Sequence, residues 1–283
     1  MLNKFKEKYI FIYVICVALL FKVTQKLSGI VQNLFLNSNL MPNDSTAKVF
    51  FIMIIANLIV TIVMLLVLWA SDRLSLLKKK GTGFIKGLSI GIYQLIYSAI
   101  ILFVMCFVAI KEGMGIASIG NIIIFLLCMF LVGLAEELCC RALIAESLLE
   151  HFKTSKKGVW MAAIISGVIF GLMHLFNFEM QFPLSTVIQA IMAGISGIMF
   201  AAIYFRSGNI WTLVFLHALN DIAAASAFGF FSGTDLLETV QSKTDGKAFM
   251  VLFMAIPTLI VIFYLLRDKK LNQIQETWPE IKQ

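Results

Sequence analysis

The sequence predicts an all-α membrane protein, a polytopic bundle of about eight transmembrane helices with both termini in the cytoplasm. Of its 283 residues, 60% are hydrophobic and 14% are charged, and the mean hydropathy is +0.93. Soluble domains are about half apolar and a quarter charged. Several apolar runs reach the roughly 20 residues that cross a bilayer. A β-barrel would instead show short alternating segments.

The apolar runs define eight predicted spans. The first has a basic head and an apolar core, as a signal peptide does, but no A-x-A cleavage site follows, so we interpret it as an uncleaved helix. Lys22 and Lys26 make it the weakest span. The fourth ends in a charged stretch, and the fifth and seventh each contain a histidine. The spans are Tyr9–Leu36, Val49–Ala70, Phe84–Ile110, Ile119–Leu149, Gly158–Phe176, Leu184–Phe205, Asn209–Phe230 and Ala248–Leu266.

Charged residues lie mainly in the connections between these runs. Sixteen of the 23 Lys and Arg residues fall on one side if the N-terminus is cytoplasmic, and Arg141 lies within the membrane zone. This asymmetry places both termini in the cytoplasm. The net charge of +7 is therefore typical of membrane-flanking loops, and no aromatic-interleaved basic patch indicates a nucleic-acid partner. The five cysteines have no CxxC spacing, so we interpret them as buried hydrophobes.

A few polar groups inside the predicted spans mark the candidate site, because an ionisable side chain there costs about 2.5–3.5 kcal/mol on insertion. They lie on three different spans, and helices of a bundle can bring such groups together in its core. The motifs are AEELCCR, FGLMH and HALND, and the candidate residues are Glu136, Glu137, Arg141, His174, His217, Asn220 and Asp221.

The spacing within AEELCCR predicts different roles for its two carboxylates. Glu137 and Arg141 are four residues apart, so their side chains share one helical face and can pair. Glu136 lies about 140° from Arg141 at 100° per residue. Glu136 is therefore the freer carboxylate and the candidate general base.

Together the three motifs, EExxxR, FxxxH and HxxxD or HxxxN, resemble those of the CPBP family. These are the CAAX-protease and bacteriocin-processing (Abi) intramembrane proteases, related to the Rce1-type prenyl endopeptidases. The resemblance covers roughly residues 121–230, within a single predicted membrane domain, 1–283, whose catalytic core would be 119–230. It implies that Glu136 activates water, that Glu137 and Arg141 hold the site and the substrate backbone, and that His174 and His217 position the water or bind a metal.

The family pattern leaves two alternatives at this site, one for the oxyanion donor and one for the metal. Asp221 occupies a position that is often asparagine in relatives, where an oxyanion-stabilising role is inferred, and an ionised carboxylate donates no hydrogen bond. Asn220, one residue earlier, could supply the amide instead. Glu136, His174 and His217 have donor atoms that zinc accepts, but the single-helix HExxH geometry is absent. A metal-free, glutamate-activated water fits equally well.

The resemblance implies an intramembrane endopeptidase in the cell membrane, with its cavity open to the cytoplasm and a peptide or membrane-anchored protein as substrate. The Lys-, Ile-, Asn- and Phe-rich composition is typical of a low-GC bacterium and favours peptide maturation or bacteriocin self-immunity. Two alternatives remain: a proton-coupled transporter, since membrane-buried Glu, His and Asp also carry protons, and a non-catalytic immunity or scaffold protein.

The expected depths of the candidate residues constrain this interpretation. His217 lies about 12–15 Å from the cytoplasmic end of its span, and Glu136 and His174 about 20–25 Å from theirs, at 1.5 Å per residue. A shared site therefore requires spans four and five to project beyond the bilayer on the cytoplasmic side. It also requires Glu136 and His217, on two helices of the bundle, to lie within about 12 Å of each other.

Overall fold

The computed structural model describes residues 2–36, 45–177, 183–232 and 253–281, and these residues are almost entirely helical. The prediction of an all-α bundle is confirmed. A pair of two-residue strands, β1 (Gly115–Ile116) and β2 (Phe231–Ser232), joins antiparallel with Gly115 opposite Ser232. The helices are α1 (Leu2–Lys8), α2 (Ile10–Leu36), α3 (Ser45–Ala70), α4 (Phe84–Ile90), α5 (Ile92–Lys111), α6 (Ile119–Glu137), α7 (Glu146–Phe152), α8 (Lys156–His174), α9 (Pro183–Ser207), α10 (Ile210–Gly229), α11 (Ala255–Leu265) and α12 (Leu271–Thr277).

Seven of the predicted spans correspond to helices that are long and apolar enough to cross a membrane. The eighth corresponds to the shorter apolar helix α11, and residues 248–252 of its predicted range lie outside the described residues. Short 3₁₀ turns cover Leu74–Lys78, Leu175–Asn177, Asp268–Lys270 and Pro279–Ile281.

The predicted third span is two helices rather than one, because the chain breaks at Gly91. A Cβ atom at Gly91 would lie 2.5 Å from Leu216 Cδ1 on α10. Glycine therefore permits close packing at the break. The break lets α4 and α5 follow α10, the helix that carries His217.

Helices α8 and α9 form the most extensive packing in the bundle. Glycines lie along their interface, and a Cβ atom at Gly171 would approach Ala190 O to 2.6 Å. Small residues let helices pack closely where apolar burial gives little gain in lipid. This contact holds His174, at the end of α8, beside α9.

Polar contacts at one end of the bundle join the connections that the sequence analysis assigned to the cytoplasm. Trp278 is fully buried there and donates from its indole N–H to Phe205 O at 2.8 Å. The C-terminal segment thus packs against the end of α9. The side-chain pairs at this end are Lys6–Glu150, Lys79–Glu280, Lys156–Asp268 and Arg206–Gln273.

The fourth span is much longer than a bilayer requires. Its helical run continues from Ile119 to Phe152, 34 residues, or about 51 Å at 1.5 Å per residue. The hydrocarbon layer is about 30 Å thick. Part of this run therefore extends beyond that layer, as the sequence-based depths require.

Candidate active site

The first motif lies where the fourth span changes its hydrogen-bonding pattern. Helix α6 ends at Glu137, and Leu138–Ala145 continues as a π-helix before α7 begins at Glu146. The Glu146 amide donates to Arg141 O, five residues back. The expectation of regular α-helical spacing through this motif is therefore wrong. π turns are rare in proteins overall, but those that occur are frequently at functional sites. The π-helical pattern therefore supports a functional role for this segment.

Gly133 brings the same segment close to α10. A Cβ atom at Gly133 would lie 3.0 Å from Ala218 N and 3.2 Å from Val214 O, so a small residue is needed for this approach. Gly133 precedes Glu137 by four residues, and Val214 and Ala218 lie on either side of His217 in the chain. The close packing therefore sets the glutamates opposite His217.

Three carboxylates converge on the His217 ring. Its Nδ1 hydrogen-bonds Glu137 Oε1 at 2.7 Å. Its Nε2 lies 3.4 Å from Glu136 Oε2 and 3.7 Å from Asp221 Oδ2. Because the carboxylate accepts the bond from Nδ1–H, this contact fixes the ring orientation and the tautomer. The Glu136–His217 distance is well within the expected limit.

The expected pair of Glu137 and Arg141 is present, with Arg141 Nε 3.1 Å from Glu137 Oε2. Both side chains are completely buried. Glu137 thus uses one oxygen for Arg141 and the other for His217. The side chain of Glu136 is 16% exposed. It is the freer carboxylate, as the spacing predicted, although it also reaches the histidine.

Two aromatic rings flank the buried guanidinium of Arg141. Its Cζ lies 5.0 Å from the Phe170 ring centre and 5.3 Å from that of Phe200, distances at which a cation is attracted to the ring face. The Phe200 ring is also 5.2 Å from the His217 ring. Sequence reasoning missed Phe200, because an aromatic residue in an apolar span carries no distinguishing signal.

His174 lies beside this cluster but does not join its network of carboxylates. Its Nδ1 hydrogen-bonds Phe170 O at 2.9 Å within α8. The Phe170 ring contacts both histidines, with ring centres 4.8 Å from His174 and 6.0 Å from His217. Across the described ranges, no ion pair or hydrogen bond joins His174 to Glu136, Glu137 or His217.

Asn220 and Asp221 occupy different positions in the site. Asp221 faces His217 Nε2, whereas Asn220 Oδ1 accepts a hydrogen bond from Gln94 Nε2 on α5 at 2.8 Å. Gln94 is buried. Sequence reasoning missed it, although a glutamine in an apolar span was the available signal.

A cation from the first span also acts on the site. Lys22 on α2 interacts electrostatically with Glu136, and its Nζ donates to Gln25 Oε1 at 2.7 Å. In the sequence, Lys22 was predicted only to interrupt a weak span. Its place in the bundle explains why a lysine is retained there, since it faces an acidic cluster.

The three predicted zinc ligands do not all meet in this structure. Glu136 and His217 are close, but His174 is not joined to them. No group of three His, Cys, Asp or Glu side chains within the described ranges has a metal-binding arrangement. In this arrangement the three residues do not form the closed set that zinc prefers. Zinc binding by Glu136, His174 and His217 stays a prediction.

The fold and this cluster define a multi-pass helical membrane protein with a carboxylate–imidazole site in its core. Residues 118–223 match the family model described as type II CAAX prenyl endopeptidase, Rce1-like. This part of the chain is therefore similar to that family of proteases, and the resemblance inferred from the motifs is confirmed. All seven candidate residues lie in the matched range. Neither the curated proteins nor the solved structures contain a match to the chain.

Proposed function

We propose that the chain is an intramembrane endopeptidase that hydrolyses a peptide bond with water activated beside the adjacent Glu136 and His217 side chains. One observation carries the proposal: helices α6 and α10 bring Glu136 Oε2 within 3.4 Å of His217 Nε2. They do so over the buried pair of Glu137 and Arg141. The location of this cluster in a segment that matches endopeptidases supports peptide hydrolysis over other uses.

In this mechanism Glu136 is the general base and later the general acid. Its carboxylate takes a proton from water, and the water oxygen attacks the carbonyl carbon of the peptide. The tetrahedral intermediate collapses as Glu136 returns the proton to the leaving amine, so no acyl-enzyme forms. A positioned acid–base group of this kind supplies about 10²–10⁴-fold in rate.

Two buried residues, Glu137 and Arg141, hold the reacting groups in place. Glu137 holds the His217 ring through Nδ1, and Arg141 holds Glu137. Since Arg141 and Glu137 are completely buried, we assign them a positioning role rather than contact with the substrate backbone. Fixing groups before the reaction avoids reorganisation at the moment when charge develops.

His174 is suited to hold the attacking water. A carbonyl oxygen only accepts hydrogen bonds, so His174 Nδ1 donates its proton to Phe170 O. In the neutral ring Nε2 then remains an acceptor for a water hydrogen. The side chain is half-buried, which leaves that nitrogen reachable.

The oxyanion donor in this proposal is Asn220 rather than Asp221. Gln94 occupies Asn220 Oδ1, and the Asn220 side chain also hydrogen-bonds Asp221. In this proposal the Asn220 amide nitrogen exchanges Asp221 for the oxyanion, because it is the only donor of the side chain. Asp221 faces His217 and has no hydrogen to donate when ionised. We assign Asp221 to stabilising the protonated His217 ring by its charge, since its Oδ2 lies 3.7 Å from Nε2.

We place the protein in the bacterial cell membrane, with the site reached from the cytoplasmic side. The extra length of the Ile119–Phe152 run and the basic residues at its C-terminal end support this orientation. Water must reach the site through a polar path, since lipid offers none. Peptide maturation and bacteriocin self-immunity are the roles we favour for such an enzyme.

Substrate capture tests the proposal. The Glu136→Gln variant should retain bound substrate that the wild type cleaves, because shape is kept and the base is lost. Mass spectrometry of the trapped peptide would give the sequence and the cleavage site. Proton-coupled solute uptake by the wild type in vesicles, with no product in any preparation, would instead support a transporter. Full biological activity of Glu136→Gln would support a scaffold.

A further inference from the structure

The π-helical segment Leu138–Ala145 needs support from outside its own backbone. In an α-helix the Glu146 amide would bond Ala142 O, four residues back. Here it bonds Arg141 O. The shift changes the partners of the neighbouring carbonyls, and buried carbonyl groups are costly without a donor.

Arg73 supplies such a donor from the turn after α3. Its Nη1 donates to Ala142 O at 3.5 Å. The same guanidinium forms ion pairs with Glu146 and Glu150 on α7. Arg73 therefore touches both the π-helical segment and the helix that follows it. Arginine suits this role because its planar fork offers five donors.

Arg73 belongs to a cluster of charged side chains. Lys6 on α1 contacts Glu150 at 2.5 Å, so two cations face two carboxylates. Lys6, Arg73 and Glu146 are all buried. Burial lowers the pKa of Lys6, the neighbouring charge of Arg73 lowers it further, and Glu150 opposes both effects. The charge of Glu7 also raises the pKa of Lys6. Because the side chain of Glu150 is 39% exposed, solvent also screens this cluster on the Glu150 side.

We propose that Arg73 is a positioning residue that fixes the π-helical register of Leu138–Ala145 and so the placement of Glu137 and Arg141. Packing at Gly133 sets α6 against α10, while Arg73 sets α7 through Glu146. Reversion to α-helical bonding would change the rotation between these two helices by about 100°. The packing at Gly133 and the ion pair between Arg73 and Glu146 can therefore form together only when the π turn is present. Arg73 lies outside the matched range 118–223.

Native thiols give a direct test that does not depend on catalysis. Cys139 and Cys140 lie in the π-helical segment, Cys128 lies in α6, and all three are buried. With Cys16 and Cys106 replaced by serine, alkylation by N-ethylmaleimide would be followed by mass spectrometry. Arg73→Met should raise the alkylation rate of Cys139 and Cys140 by about tenfold through local opening, and leave Cys128 unchanged.

Two further variants make this test decisive. Arg73→Lys keeps the charge and loses the fork, so its rates should lie between those of the wild type and Arg73→Met. Arg206→Met removes another buried arginine, one that contacts Gln273 rather than the π-helical segment, and should leave Cys139 and Cys140 protected. Unchanged rates in Arg73→Met, or a parallel rise at Cys128, would overturn the proposal.

The catalytic consequence rests on the proposed function and has its own measurement. With the trapped peptide as substrate, Arg73→Met should lower kcat by about tenfold or more with little change in KM, since the reacting groups move while the outer contacts remain. Arg73→Lys should recover part of kcat. Equal kcat in the wild type and Arg73→Met would refute this consequence. If wild type cleaves nothing, the proposed function fails while the thiol result still decides the role of Arg73.

Discussion

Removing Glu137 is predicted to destabilise the protein strongly, because Arg141 would become a buried cation without its carboxylate. Such a change costs about 3–5 kcal/mol. The side chain of Arg141 is 0% exposed, and none of its three guanidinium nitrogens has a hydrogen-bond partner in the described chain, so the Glu137 carboxylate 3.1 Å from Nε stabilises it as a charge. His217 also loses its partner at 2.7 Å, at a cost of about 1–3 kcal/mol. Glu137→Ala should therefore lower the free energy of unfolding by about 4–8 kcal/mol.

A double replacement separates the two contributions. Glu137→Leu with Arg141→Met removes both charges and keeps apolar volume, so the cost at His217, about 1–3 kcal/mol, and the loss of the Arg141 contacts with Phe170 and Phe200 should remain. The contacts that Arg141 makes with Phe170 and Phe200 are present in Glu137→Ala as in the wild type, so they do not offset the loss in that single variant.

Equilibrium unfolding in mixed micelles, followed by circular dichroism, measures these free energies. The double variant should be more stable than Glu137→Ala. A cost below about 2 kcal/mol for Glu137→Ala would show that Arg141 is not a buried, carboxylate-dependent cation. A double variant less stable than the single one would refute the charge-pairing argument.

Three further predictions concern the surrounding groups. Gln94→Leu should lower the cleavage rate of the trapped peptide about fivefold, since it removes about 1 kcal/mol of hydrogen bonding to Asn220. Burial opposes ionisation of Glu280, but the hydrogen bond and charge of Lys79, together with a backbone hydrogen bond, outweigh it and keep the pKa of Glu280 below its ordinary 4.5. A lowered folded-state pKa means that this pair stabilises the C-terminal segment above pH 4.5, and that the contribution is lost as pH falls through the folded pKa. Acid should then speed proteolysis after Lys270. If zinc is bound, chelation should abolish cleavage and Zn²⁺ should restore it.

Each of these has a control. Gln25→Leu changes a glutamine of α2 instead of α5 and should not reproduce the effect of Gln94→Leu. Glu280→Gln should remove most of the pH dependence of proteolysis, and an unchanged profile would contradict the assignment to the Lys79 pair. Full cleavage activity in a metal-stripped preparation would end the zinc hypothesis.

Much of the fold follows from one physical requirement that acts along the sequence. A helix must satisfy its own backbone in lipid, so apolar length alone predicted all seven long helices. The break at Gly91 was not predicted. It depends on the approach of Leu216 on α10, a contact between distant parts of the chain.

The sequence predicted which residues form the site, but it did not predict how they are arranged. Ionisable groups are rare in lipid, so Glu136, Glu137, Arg141 and His217 stood out. The π-helical segment did not, because its support comes from Arg73, 69 residues away from the carbonyl it contacts. Sequence spacing reports neighbours along one helix and contains no information on such distant donors.

The central claim is that Glu136 activates the water that cleaves the substrate. The most direct measurement compares cleavage of the trapped peptide by the wild type and Glu136→Gln, with thermal unfolding of both followed in the same detergent. The account predicts a loss of about 10²-fold or more in kcat with equal stability, whereas Glu112→Gln, at an exposed carboxylate, keeps full activity. Cleavage by Glu136→Gln at the rate of the wild type would contradict the account.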